Sequence, residues 1–179
     1  MQKIIWALVL LIGLQANAQI TKVSLQASGL TCSMCSKAVK LALEKVSFVE
    51  KVQVDIKNQQ YNITLKEGQA FELDDLGKAV ADAGFSVAKL TVTAKLDQKQ
   101  LEKDEHLKIG SHTFHVLNAG KQVVNGETTL TVVDKNFVSA KDFKKYSGMS
   151  KMQCVQTGRM EKCCTAGDGA TARIYHAII

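Results

Sequence analysis

The chain has 179 residues, of which 46% are hydrophobic and 22% are charged, and its formal net charge is +6. This composition is typical of a folded protein rather than a disordered one. The length allows one large domain or two small ones. Proline is absent, which excludes proline-rich linkers and architectures built on a cis-proline. A single segment, at the N-terminus, is apolar enough to interest a membrane, so the sequence excludes a multispan membrane protein.

Residues 1–18 have the features of a secretory signal peptide. Lys3 precedes the apolar run Ile4–Leu14, and the small-x-small pattern of a cleavage site precedes Gln19. The run is too short for a transmembrane helix but suits the core of a signal peptide. We expect an exported protein, periplasmic if the cell is Gram-negative, with no stable membrane insertion after cleavage. An N-terminal anchor is the alternative.

Residues 19–92 change their hydrophobic period in the order strand, helix, strand, strand, helix, strand. Apolar residues three or four positions apart predict helices, and strict alternation predicts strands. Val39 and Leu43 follow the helical spacing, whereas Val52 and Val54 alternate. The order βαββαβ predicts an α+β domain of the ferredoxin-like type.

The second half of the chain has a different texture. Residues 93–105 are strongly polar and are interpreted as a linker or a short exposed helix. Strand patterns dominate residues 106–179, for example at Phe114–Leu117 and Thr128–Val133. The sequence therefore predicts a second, small β-rich domain, for which an OB-like barrel is the expected architecture.

Cys32 and Cys35 form a CxxC motif where the first predicted strand ends and the first helix begins. Two thiols three positions apart on such a turn can converge on one ion. The positive end of the helix dipole favours the thiolate over the thiol. Thiolates are soft ligands that suit Cu(I) and similar ions. The motif therefore indicates a carrier site that a partner's thiols can enter.

Other uses of a CxxC motif are weighed against this interpretation. Ser36 stands where a c-type haem site needs His. A thioredoxin-like redox protein depends on a cis-proline, which this chain lacks. A plain disulfide in an oxidising compartment is a further alternative. So are thiol-redox cycling and a partner-binding module that metal only regulates.

The segment Gly29–Cys35 resembles the Gly-Met-Thr-Cys-x-x-Cys signature of heavy-metal-associated domains. Such domains occur in copper chaperones, in copper-transporting ATPases and in the periplasmic mercury-binding protein. Asp82–Phe85 resembles the acidic-Ala-Gly-aromatic turn of the same family. The resemblance covers residues 21–92, and Leu30 departs from it by replacing the usual Met.

The resemblance implies a role for each matching residue. Cys32 and Cys35 would be the metal ligands, Thr31 would help to shape the loop, and Phe85 would shield the site. It implies Cu(I) as the bound ion, with Hg(II) or Zn(II) as alternatives. It also implies transfer by thiolate exchange to or from a metal-transporting ATPase or another carrier. A mercury(II) scavenger of the same fold is the alternative function.

A second sulfur-rich segment spans Met149–Cys164. It contains three of the five Met and three of the five Cys of the chain. Thioether and thiolate ligands together favour Cu(I), so Cys154, Cys163 and Cys164 are candidates for a second metal site. The alternative is a structural disulfide between Cys154 and one of the other two. Since five is odd, at least one thiol is unpaired within the monomer or pairs between chains.

The remaining polar residues predict neither an enzyme nor a nucleic-acid-binding protein. His112 and His115, three positions apart in a strand, point to opposite faces and cannot chelate together. His106 and His176 lie in separate segments, and all four are expected to be exposed or ordinarily packed. We find no nucleophile elbow, phosphate loop or paired-carboxylate motif. The basic residues are scattered among acids rather than clustered, so no nucleic-acid partner is expected.

Overall fold

The computed structural model describes residues 19–160, 164 and 172–179. Along these residues the strands are β1 (Gln19–Ser28), β2 (Val49–Asp55), β3 (Gln60–Leu65), β4 (Ser86–Leu101), β5 (Glu105–Ile109), β6 (His112–Val116), β7 (Gln122–Val132) and β8 (Ile174–Ile178). The helices are α1 (Ser33–Glu44), α2 (Leu73–Asp82), α3 (Ala140–Ser147) and α4 (Cys154–Thr157). The predicted signal peptide, residues 1–18, lies outside the described residues. Among the described helices, none combines the length and apolar character that crossing a membrane requires.

The first six elements form the predicted ferredoxin-like βαββαβ unit. β1 pairs antiparallel with both β3 and β4, and β2 pairs antiparallel with β3. Alternate residues of β1, including Val23 and Leu25, are fully buried. Leu43 of α1 and Leu76 of α2 belong to the same core because each helix turns one apolar face to the sheet. The α+β prediction is confirmed for this half of the chain.

Strand β4 runs through most of the segment predicted as a linker or short exposed helix, residues 93–105. Val92, Ala94 and Leu96 are buried, whereas the intervening Lys95 is exposed. The segment is polar because one face of an antiparallel strand meets solvent, while the other face packs into the core. This corrects the linker prediction, since the two halves of the chain share a strand.

The second half continues the same sheet. β7 pairs antiparallel with β4, and β8 pairs antiparallel with β7 and parallel with β6. The described strands follow the order β2-β3-β1-β4-β7-β8-β6-β5. The predicted OB-like barrel is not confirmed, because β4 carries pairing partners on both edges and extends the ferredoxin-like sheet into the second half.

Polar contacts also join the halves where β8 meets the start of α2. The Tyr175 hydroxyl donates to Glu72 Oε2 at 2.9 Å and accepts from the Leu73 N–H at 3.0 Å. Arg173 donates to both carboxylate oxygens of Asp74, at 2.6 and 3.1 Å. Burial opposes the charge of Arg173, but the hydrogen bond to Asp74 and the nearby carboxylates raise its pKa. Burial, reinforced by the Asp74 charge, raises the pKa of Tyr175, which therefore stays a neutral donor.

Candidate metal-binding site

The CxxC motif lies on the loop that joins β1 to α1. Gly29 has a φ of 85°, a left-handed conformation that suits glycine and turns the chain away from the sheet. Cys32 is the N-cap residue of α1, with φ −155° and ψ 167°, and Cys35 lies in the first turn of the helix. Cys32 is exposed and Cys35 is half-buried. The strand-to-helix placement predicted for the two thiols is observed.

The two sulfur atoms are close enough to share an ion. Cys32 Sγ lies 3.1 Å from Cys35 Sγ, and Thr31 Oγ1 lies 3.7 Å from Cys35 Sγ. Hydrogen bonds from the Cys32 side chain and from the backbone and hydroxyl of Thr31 lower the pKa of Cys35 to about 7. Cys35 is therefore substantially a thiolate at neutral pH, the form that binds soft ions.

This pKa gives a direct prediction of thiol reactivity. Because the thiolate is the nucleophile, alkylation of Cys35 by iodoacetamide in the metal-free protein should be half-maximal near pH 7. An ordinary thiol reaches half-maximal reactivity near pH 8.5. The measurement is mass-spectrometric peptide mapping after short pulses between pH 5 and 10. In Thr31→Ala, which lacks the hydroxyl contact, the midpoint should move upward, and an unchanged midpoint would contradict this origin of the shift.

Two aromatic residues support the loop from different sides. Phe85, directly before β4, is half-buried, and its Cδ1 lies 3.8 Å from the position a Cβ would take on Gly29. Its predicted place beside the loop is therefore observed, while shielding of an ion stays a prediction. Tyr61, which sequence analysis did not single out, donates its hydroxyl to the Ser36 carbonyl at 3.2 Å and lies 3.0 Å from the Ser36 hydroxyl. These contacts fix the first turn of α1 against β3.

The second sulfur-rich segment is described only in part. Cys154, the first residue of α4, is fully buried, and half-buried Cys164 packs against the same apolar cluster. Cys163 lies outside the described residues. The buried Met160 belongs to this cluster too. The predicted disulfide between Cys154 and Cys163 or Cys164 stays a prediction.

The structure adds two histidines that sequence analysis treated as ordinary packed residues. One ligand atom each of His115, Cys154 and His176 lies within 4.8 Å of the other two, and all three residues are buried. Burial, followed by the nearby His176 and His106, lowers the pKa of His115 to about 4. His112 is separate, since its Nε2 lies 2.8 Å from the Phe71 carbonyl oxygen. The prediction that His112 and His115 do not chelate together agrees with these contacts.

The missed histidines carried little sequence signal. His115 and His176 are 61 positions apart and meet because β6 and β8 pair in parallel with these two residues in register. Each lies in an apolar strand, and a histidine within such a run is the one hint that the sequence offered.

An exposed pair of thiols on a βαββαβ scaffold defines a metal-binding domain. Residues 24–86 match the family model of the heavy-metal-associated domain. The chain is also 40% identical over 63 residues to a mercuric transport protein periplasmic component of Shigella flexneri, a match that covers 35% of this chain and 68% of that protein. The chain therefore belongs to the heavy-metal-associated domain family, which confirms the resemblance carried by Gly29–Cys35.

Two further similarities cover the same part of the chain. A copper-transporting ATPase of Helicobacter pylori is 34% identical over 74 residues, which are 41% of this chain and 10% of the ATPase. The chain thus spans about a tenth of the length of that relative. The crystal structure of oxidized MerP from Ralstonia metallidurans CH34 is 39% identical, covering 39% of this chain and 96% of that chain with a TM-score of 0.33.

Proposed function

We propose that the protein is an exported carrier of soft metal ions, not an enzyme, and that it binds one Cu(I) ion between Cys32 and Cys35. The observation that supports this proposal is an accessible pair of sulfur atoms 3.1 Å apart, one of which has its pKa lowered to about 7. Soft thiolates select Cu(I). Two thiolates do not complete the four-ligand site that structural Zn(II) requires, so Zn(II) is the weaker alternative.

The exposed position of the pair suits transfer by ligand exchange. A thiol of the partner loses its proton and binds the Cu(I), which is then held by three sulfur atoms. Cys32 or Cys35 then leaves the ion and can take up a proton, and a second exchange completes the transfer. One sulfur–copper bond forms for each that breaks, and copper stays Cu(I) throughout. A metal-transporting ATPase or another carrier is the proposed partner.

The surface around the thiols is suited to transient docking. Met34, in the motif itself, is 69% exposed, and Ile56 is 85% exposed on the rim of a cleft that Cys32 also lines. Lys37 and Lys40 line the same cleft and supply positive charge. Interfaces of this kind combine an apolar centre with a polar rim. We infer a partner surface that is apolar around its own cysteines and acidic at its edge.

An anaerobic titration of the reduced protein with Cu(I), in competition with a chromophoric chelator, tests the proposal. One tight equivalent that exchanges rapidly with the chelator is expected. Met34→Leu is the matched control, because it removes the exposed thioether of the same loop and leaves both thiols. No tight, rapidly exchanging equivalent would overturn the carrier assignment, and catalytic reduction of insulin disulfides would then favour a thiol-redox protein.

Mercury is the second candidate ion, and the similarity to a mercuric transport protein periplasmic component favours it. Both ions are soft and suit two thiolates. The same titration repeated with Hg(II) and a thiol competitor at matched concentration separates them. If Hg(II) is retained at thiol concentrations that strip Cu(I), the protein is a mercury(II) scavenger rather than a copper carrier.

Export is the third part of the proposal, and it predicts a defined processing site. When the full chain is produced in a Gram-negative host, signal peptidase should cleave after Ala18 and release a protein that begins with Gln19. Intact-mass spectrometry of the periplasmic fraction measures the new N-terminus. Ala18→Arg should block cleavage and leave the chain membrane-associated. A periplasmic protein that retains residues 1–18 would contradict the assignment.

A further inference from the structure

We propose that His115, Cys154 and His176 form a second metal site, which holds a resident Zn(II) ion in the interior of the second half of the chain. This site does not depend on Cys32 and Cys35. Its ligands come from β6, from the first residue of α4 and from β8, so an ion there would join three elements that are distant in sequence. It also differs from the second site predicted by sequence, which used cysteines alone.

The distances place the three donors around one point. His115 Nδ1 lies 3.6 Å from Cys154 Sγ, and one ligand atom of each of the three residues lies within 4.8 Å of the others. Bonds from Zn(II) are about 2.0–2.1 Å to imidazole nitrogen and about 2.3 Å to sulfur, so donors of one ion lie roughly 3–4 Å apart. The side chains therefore need only small adjustments to bind a common ion.

Each histidine is already oriented by a carboxylate through its other ring nitrogen. His115 Nε2 lies 3.0 Å from Asp104 Oδ1, and His176 Nδ1 lies 2.7 Å from Asp134 Oδ1. Metal-binding histidines are characteristically held in this way, because the carboxylate fixes the tautomer and makes the free nitrogen more basic. The arrangement leaves Nδ1 of His115 and Nε2 of His176 with lone pairs for an ion.

Nε2 of His176 is a separate observation in favour of a ligand. The side chain is 1% exposed, and this atom has no hydrogen-bond partner among the described residues. A buried polar atom without a partner costs free energy. A Cys154 thiol that donates to His115 Nδ1 would satisfy His115 but would leave His176 Nε2 unsatisfied. An ion bound by all three residues accounts for both nitrogens.

The surrounding charges favour a divalent ion. Besides the Cys154 thiolate, the carboxylates of Asp104 and Asp134 lie behind the ligands, and Arg173 lies 3.6 Å from Asp134. A divalent cation balances these charges, whereas Cu(I) leaves a net negative charge in a buried site. Imidazole and thiolate are also the usual Zn(II) ligands, and three protein ligands leave the fourth position open. Because the ligands are buried, the ion would be retained rather than passed on.

The test uses the full-length protein with Cys32→Ser and Cys35→Ser, so that the surface thiols do not contribute. The protein is refolded from urea in the presence of Co(II), which reports thiolate coordination through a sulfur-to-metal charge-transfer band and tetrahedral d–d bands. Zn(II) added afterwards should displace Co(II) at one equivalent. Absence of the charge-transfer band, or displacement by Cu(I) but not by Zn(II), would overturn the proposal.

Variants assign the ligands. His176→Gln and Cys154→Ser should each weaken Zn(II) binding by more than about 100-fold, and Asp134→Asn by about 10- to 100-fold through His176. His112→Gln is the matched control, because His112 is buried in the same strand as His115 but lies outside the cluster. Circular dichroism checks that each variant folds, and if His176→Gln does not, Cys154→Ser decides. Unchanged Zn(II) affinity in folded Cys154→Ser or His176→Gln would refute the ligand assignment.

Discussion

Joint replacement of Cys32 and Cys35 by Ser should remove the rapidly exchanging Cu(I) equivalent while leaving the fold intact. Ser has nearly the shape of Cys, but its hydroxyl is a poor ligand for a soft ion. Loss of a residue that merely orients a ligand costs about 10- to 100-fold in metal affinity, so loss of both ligands should cost well over about 100-fold. The measurement is anaerobic competition with a chromophoric Cu(I) chelator, followed on the stopped-flow timescale to isolate the fast phase.

The single variants and a distant cysteine give the experiment its controls. Cys32→Ser and Cys35→Ser should each abolish the tight phase, because one thiolate cannot hold the ion in two-coordinate geometry. Cys164→Ser removes a thiol outside the loop and should leave the fast phase unchanged. If the double variant keeps its affinity within tenfold of the parent, Cys32 and Cys35 are not the ligands, and the Met149–Cys164 segment becomes the site of fast binding.

The surface site was predictable from sequence because its determinants are local. Gly29, Cys32 and Cys35 lie within seven residues, and the change from alternating to helical periodicity places them at a strand-to-helix turn. The apolar spacing of α1 and α2 likewise predicted the βαββαβ order. Local patterns carry such information because a helix or a strand needs only its own sequence and one apolar partner surface.

The extent of the sheet was not predictable in the same way. The polar stretch after Val92 resembles a linker when its composition is considered, although Ala94 and Leu96 keep the alternation of a strand. That alternation is interrupted at the register shift between Leu96 and Lys99, where Gln98 adopts a positive φ of 41°. Pairing with β7 decides the matter, and a pairing between segments some thirty residues apart leaves no local signature.

The histidine cluster depended even more on tertiary structure. His115 and His176 face each other through the parallel pairing of β6 and β8, and Cys154 reaches them from α4. Spacing rules detect metal ligands when two of them share a helix or a loop. Here each ligand lies on its own element, so sequence analysis found Cys154 but not its neighbours.

Removal of the Tyr175 side chain should destabilise both halves of the protein at once. The ring is 1% exposed, and its centroid lies 5.8 Å from that of Phe114 and 6.4 Å from that of Phe137. Tyr175→Ala should lower the free energy of unfolding by about 3–5 kcal/mol, as expected for a buried aromatic residue. Tyr175→Phe keeps the ring but removes the hydroxyl contacts with Glu72 and Leu73, and should cost about 1–2 kcal/mol.

Urea denaturation of the metal-free protein, followed by circular dichroism, measures these losses, with half-buried Tyr146→Phe on α3 as a control expected to change stability by less than about 0.5 kcal/mol. Because β4 belongs to the sheet of both halves, unfolding should stay a single transition in every variant. Amide exchange should accelerate equally in β1 and in β8, which lie on opposite sides of β4 and β7. Faster exchange confined to β5–β8, or a second transition in urea, would show that the ferredoxin-like half is stable without the rest of the sheet. In that case the shared strand would join two independent folding units.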